Sequence, residues 1–107
     1  MLIDPSCHIL KVCDFGSAKR LIKDEPSTAY TCSRYYRAPE LLIGARDYGV
    51  AVDIWAAGCV LAEMLLSKPL FKGKNSNNQL EEVMRKLGSP PEGLFKKLNP
   101  EYKQKLP

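Results

Sequence analysis

Leu2-Ile3 and the run from Ile9 to Cys13 are short apolar stretches separated by the turn-forming Asp4-Pro5-Ser6. The pattern predicts a strand, a tight connection and a second strand. Burial of the second run would put Asp14 at the end of a buried strand. No periodicity is sustained from Ser17 to Arg37, and Pro26, Ser27 and Thr28 favour an exposed loop. Pro39 to Ile43 reads as a short helix, because proline suits a first helical turn and Gly44 suits a stop. Val52 to Leu66 carries the strongest helical pattern. With Ile54, Trp55, Val60, Leu61, Met64 and Leu65 it is apolar nearly all round, so burial on most sides is expected. An amphipathic helix is expected from Asn77 or Asn78 to Leu87, with Leu80, Val83, Met84 and Leu87 on one face and Gly88 as its stop. After Ser89-Pro90-Pro91 only a short helical piece near Glu92 to Leu98 is expected. The fold class is therefore mainly α with a short β-hairpin.

Composition narrows the classes of function. The 107 residues allow one small domain, and 45% hydrophobic with 26% charged residues is ordinary globular material. The longest apolar run, Cys59 to Leu66, ends at Ser67-Lys68-Pro69 and is too short to span a bilayer, so no membrane partner is expected. The net charge is +4, but the basic residues are spread from Lys11 to Lys105 without interleaved aromatics. That distribution argues for a solvated basic surface and acidic or phosphorylated partners, and against nucleic acid. Cys7, Cys13, Cys32 and Cys59 have no Cys-x-x-Cys spacing and no secretion signal precedes them, which predicts reduced thiols in the cytoplasm and/or nucleus. Cys13 and Cys59 read as core residues. His8 beside Cys7 has no second pair to complete a tetrahedral metal site.

Two tripeptides carry the chemistry. In Asp14-Phe15-Gly16 the carboxylate is a hard oxygen ligand suited to Mg²⁺ shared with phosphates, and Gly16 can take backbone angles other residues resist. Alone, an acid followed by glycine at a strand end is usually a plain turn. Ala38-Pro39-Glu40 follows across a stretch rich in Ser, Thr, Tyr and Arg, and the pair resembles the brackets of a protein kinase activation segment. Between them Tyr30 lies near Arg34 and Arg37. A phosphate on it would bring close to two negative charges for the guanidinium groups to clamp, ordering the segment. Ser27, Thr28, Thr31 and Ser33 compete as sites, and the plainer alternative is a solvated basic loop whose tyrosine packs.

Residues 14–19, the run Cys32-Ser33-Arg34-Tyr35-Tyr36-Arg37-Ala38-Pro39-Glu40 and residues 53–59 closely resemble glycogen synthase kinase-3, over nearly the whole chain. The resemblance implies a partial protein-kinase-like C-lobe spanning 1–107: a strand pair at 1–13, the activation segment at 14–40 and C-lobe helices at 41–107. It implies a serine/threonine kinase using ATP and Mg²⁺ on protein substrates, with Asp14 as the cofactor and metal ligand. Lys19 matches one of three basic residues that hold a phosphate already on the substrate. Tyr30 matches the phosphorylated activation-loop tyrosine, with Arg34 and Arg37 as its clamp. Asp53 matches a residue that anchors the catalytic loop, although a carboxylate at a helix start is also favoured by the helix dipole alone. Glu40 matches a glutamate paired with a buried arginine that would lie beyond Pro107.

A working kinase also needs a Gly-rich loop, a lysine–glutamate pair and a His-Arg-Asp loop, and this chain carries none of them. The resemblance places the N-lobe, the catalytic loop and its base upstream of Met1. No catalytic residue is therefore expected within 1–107, and the isolated chain is expected to be inactive. Family scaffold proteins dock a helix in an apolar groove corresponding to residues 77–87 and the loop around Tyr102. Leu80 and Tyr102 keep that character, but Asn77, Glu81 and the altered stretch after Tyr102 argue against docking, since burying Glu81 against an apolar helix costs free energy. Two other readings are a non-catalytic, pseudokinase-like binding module and an incomplete gene model. Because the apolar helix at 52–66 would have fewer elements to pack on than in the parent fold, open apolar surface and marginal stability are expected.

Overall fold

The computed structural model describes residues 1–22, 26–28, 32–91 and 93–103. Strands β1 (Leu2–Asp4) and β2 (Ile9–Lys11) pair antiparallel, with Ile3 opposite Leu10, and form the two-stranded sheet. Asp4 Oδ1 accepts from the Ser6 backbone N–H at 2.9 Å, which tightens the connecting turn. A 3-10 turn at Arg34–Tyr36 leads to α1 (Pro39–Leu42), α2 (Ala51–Leu66), α3 (Ser76–Leu87) and α4 (Leu94–Leu98).

The helix boundaries follow local chemistry. Pro39 opens α1, and Gly44 at φ 76° closes it. The Gly44 N–H bonds to the Leu41 carbonyl and the Ala45 N–H to that of Glu40, which satisfies carbonyls at the end of the helix. Asn75 caps α3 by accepting from Asn78 N–H at 2.9 Å, so the helix starts at Ser76, one or two residues earlier than the apolar pattern suggests. Gly88, at φ 88°, ends α3 and donates to the Met84 carbonyl at 2.8 Å. The final piece starts at Leu94, and Glu92 lies outside the described residues.

Three adjoining clusters make the core. Ala38 and Leu41 pack under Tyr48, Val52 and Trp55. Cys59, Phe71 and Val83 pack with Tyr36, Trp55 and Leu70, and the Trp55 and Phe71 rings stack with centroids 5.8 Å apart. Leu42, Ile43, Leu80 and Phe95 form the third, against Met84 and Tyr102. The fully buried Gln79 joins the segment between α2 and α3 to this core. Its Oε1 accepts from Gly73 N–H at 2.6 Å and its Nε2 donates to the Phe71 carbonyl at 3.2 Å, so a buried amide is satisfied by two backbone groups.

Several expectations change. Both strands are exposed throughout, so Asp14 does not follow a buried strand: among the described residues nothing covers the two-stranded hairpin. The second strand stops at Lys11, and Cys13 is exposed while Cys59 is buried. Ser27 is buried, although the loop around it was expected to be open. Leu80 and Val83 are buried on α3, but Leu87 points outward. Helix α2 buries one face only: Val52, Trp55, Ala56, Cys59 and Glu63 are covered or half-covered, whereas Val50, Ile54, Leu61, Met64 and Leu65 are open. The radius of gyration is 15.1 Å, against about 13 Å for a compact domain of this length.

A methyl group on Gly73 would fall inside van der Waals contact of the Gln79 backbone, where no flexible side chain can give way. Gly73→Ala is expected to lower stability by about 1–3 kcal/mol, the scale of overpacking, read as a fall in the urea midpoint. A midpoint unchanged from the parent chain would show that the segment does not seat on α3 as described.

Candidate functional site

The residues singled out from the sequence lie in two places. Asp14 sits at the end of the hairpin, exposed, with φ 63°. The unusual backbone therefore falls on the aspartate. Gly16, expected to need it, is not among the positive-φ glycines, and a Cβ placed on it would make only ordinary contact with Asp14 Oδ1, at 3.5 Å. Aspartate tolerates the left-handed region better than most side chains, which is why the strain can reside there.

Lys19 and Asp53 line one cavity of about 330 Å³, between the residues following Gly16 and the start of α2, with Ser17, Leu21, Tyr48 and Val52. Asp53 is exposed in the first turn of α2, where the helix dipole favours a carboxylate. Lys19 Nζ donates to Ser27 Oγ. Ser27 is fixed in turn by its N–H to the Arg46 carbonyl at 2.9 Å, and Tyr48 Oη donates to the Thr28 carbonyl at 2.6 Å. These contacts, which no spacing in the sequence reveals, cover Ser27 and hold residues 26–28 against the helical body.

Tyr30 lies outside the described residues. The two arginines proposed as its clamp are directed to backbone carbonyls. Arg34 donates to Lys74 at 2.6 Å and to Gly73 at 3.4 Å, and Arg37, which is buried, donates to Cys32 at 2.7 Å. Arg34 thus ties the 3-10 turn to the segment that Gln79 holds from the other side. Tyr36 Oη donates to Glu63 Oε2 on α2 at 2.7 Å, a contact missed in the sequence because only the covered arc of α2 shows Glu63 turned inward.

Glu40 stands half-buried at the rim of an apolar groove of about 360 Å³ walled by Trp55, Leu80, Val83, Leu87 and Phe95. The buried indole N–H of Trp55 makes no hydrogen bond among the described residues. Leu80, expected on a docking groove, is sunk in the core, and Tyr102 packs edge-on against Phe95. Asn77 and Glu81 are exposed, and Glu81 accepts from Asn78 Nδ2 at 2.8 Å.

The protein kinase domain family model matches residues 1–105. The chain belongs to this family. Its kinase membership carries the general use of ATP and Mg²⁺ and protein substrates, and the architecture is mainly helical with one short hairpin, without the full two-lobed arrangement. Among the described residues no group of three or more acidic, His or Cys side chains could hold a metal ion. Mg²⁺ is held through one or two carboxylates together with substrate phosphates, so an exposed, solitary Asp14 does not by itself fit the ion. No described helix is long and apolar enough to cross a membrane.

The Glu63 carboxylate raises the Tyr36 phenol above its usual value, first through the hydrogen bond and then through burial. A raised folded value means that the stabilisation is complete below about pH 10, the unfolded value, and is lost as pH rises through the folded one. Tyr36→Phe is expected to cost about 1.5–3 kcal/mol at pH 7, the worth of a hydrogen bond to a charged group, and to flatten the alkaline fall in stability. Urea melts of both proteins from pH 7 to 11 check this, and parallel curves would contradict it.

Proposed function

We propose that the chain is the activation segment and first large-lobe helices of a glycogen-synthase-kinase-3-like serine/threonine kinase of the cytoplasm and/or nucleus. The parent reaction moves the γ-phosphate of ATP to a serine or threonine hydroxyl of a protein substrate already phosphorylated nearby. The observation that carries the reading is the kinase-domain match over residues 1–105, taken with the runs Ser17-Ala18-Lys19 and Ser33-Arg34-Tyr35-Tyr36-Arg37 inside it. In this reading Asp14 is the metal-directed carboxylate, Lys19 meets the substrate phosphate, Tyr30 is the regulatory phosphosite with Arg34 and Arg37, and Glu40 and Asp53 are structural.

The 107 residues alone are inert in this account. Phosphoryl transfer is positioning plus electrostatic stabilisation, and the chain supplies neither a base nor a partner for Asp14. Docking of an apolar scaffold helix on α3 is disfavoured, because Leu80 is already used in the core and Glu81 would lose its water.

One assay tests both halves: transfer of labelled phosphate from Mg-ATP to a primed peptide and its unprimed twin. The 107-residue chain is expected to transfer nothing above background, with Asp14→Ala making no difference. A glycogen synthase kinase-3 whose activation segment is replaced by residues 14–40 is expected to keep its preference for the primed peptide and to lose at least tenfold of it on Lys19→Ala. Activity in the chain that Asp14→Ala abolishes would overturn the first half. A chimera that is active without preferring the primed peptide would overturn the second.

A further inference from the structure

Among the described residues Lys19 is held by a hydroxyl and by no carboxylate. Its Nζ donates to Ser27 Oγ, while the ion pair of the described residues lies elsewhere, between Arg85 and Glu82 on α3. Asp53 lines the same cavity as Lys19 and makes no ion pair with it. For an incoming anion the difference matters. A carboxylate would fix the ammonium and cancel its charge, whereas a neutral hydroxyl fixes it through one donor and leaves the charge and the other donors in place.

Ser27 is the fixed partner of the two. It follows Pro26, whose ring restricts the backbone, and its N–H donates to the Arg46 carbonyl at 2.9 Å. The Thr28 carbonyl accepts from Tyr48 Oη at 2.6 Å, so two groups from the connection between α1 and α2 seat this stretch. Both contacts use backbone atoms of residues 27 and 28. The Ser27 hydroxyl is therefore not needed to hold the segment, and with 7% of its surface exposed the residue cannot follow the lysine about. Lys19 carries its charge on a flexible stem, and ordering such a stem at the moment of binding subtracts from affinity. Contact with a fixed hydroxyl does that ordering beforehand.

We propose that Ser27 is the positioning residue for Lys19: its hydroxyl sets the ammonium in place for the phosphate on a primed protein substrate, and so governs how strongly such substrates are preferred. The proposal rests on Lys19 meeting the substrate phosphate. Ser27 acts through the lysine, whose remaining donors serve the phosphate oxygens. Charge at position 27 then decides the outcome, because an aspartate there would pair with Lys19 and compete with the substrate for it.

The test uses a glycogen synthase kinase-3 whose matching segment is replaced by the whole of residues 1–107, so that Arg46 and Tyr48 accompany Ser27, with kcat and KM measured on a primed peptide and its unprimed twin. Ser27→Ala is expected to raise KM for the primed peptide about three- to tenfold, the scale of one lost hydrogen bond, with kcat and turnover of the unprimed twin unchanged. Ser27→Thr keeps a hydroxyl and should keep the preference, whereas Ser27→Asp should lose at least as much of it as Ser27→Ala. In the 107-residue chain itself, nitrogen-15 NMR reads the contact without any catalysis. The Lys19 ammonium hydrogens are expected to exchange with water more slowly than those of the exposed Lys68, and Ser27→Ala should remove the difference. Lys19 exchange no slower than that of Lys68 would overturn the proposal, as would a loss in Ser27→Ala that falls equally on both peptides or is shared by Ser27→Thr. A preference that Lys19→Ala abolishes and Ser27→Ala leaves intact would overturn the proposal alone. A preference that Lys19→Ala leaves intact would overturn the role of Lys19 itself, and the proposal with it.

Discussion

Phe71 lies where the 3-10 turn, α2 and α3 converge, stacked on Trp55 and packed against Cys59 and Val83, with only 2% of its surface exposed. Its position is enforced by polar contacts. Gln79 takes the Phe71 carbonyl and the Gly73 N–H, and Arg34 takes the carbonyls of Gly73 and Lys74. The segment between α2 and α3 is thus held through backbone groups from two sides, and the ring has one place to go. Removing such a ring from a core typically costs about 3–5 kcal/mol, a large share of the stability of any small domain. The other two clusters extend from this one through Trp55 and α3.

Much of the helical frame was legible because it depends on local chemistry. Pro39 and Gly44 bracket α1, Gly88 stops α3, and the spacing of Leu80, Val83 and Met84 gives its inner face. The errors share one cause, which is that burial depends on what is near in space. Ile9 to Cys13 has the composition of a buried strand, but among the described residues no third strand pairs with the hairpin, and both its strands are exposed. The apolar character of α2 shows that it can be buried all round, but not which side is covered. Ser27 looks like loop material and is buried because Lys19 and Arg46 reach it from separate parts of the chain.

The site divides in the same way. Residue types were readable: a carboxylate suited to a metal, a lysine suited to phosphate, arginines suited to a clamp. Their present partners were not. Arg34 and Arg37 are engaged by carbonyls, Lys19 by Ser27, and Asp14 stands exposed on the hairpin. The core of the chain is built around Phe71, and the exposed stretch carrying Asp14 belongs to none of its three clusters. The carbonyls that hold Arg34 belong to the segment leading into α3, so one guanidinium group couples the 3-10 turn to the helical core.

Hydrogen exchange on the native chain tests this division most directly, because it reads the opening free energy of each amide. Amides of α3 and the covered face of α2, with those of Phe71 and Gly73, are expected to exchange slowest and together, while those of residues 2–16 exchange close to the unprotected rate. Protection of β1 and β2 equal to that of α3 would contradict the account, since it would make the hairpin and Asp14 part of the same cooperative unit as the core around Phe71.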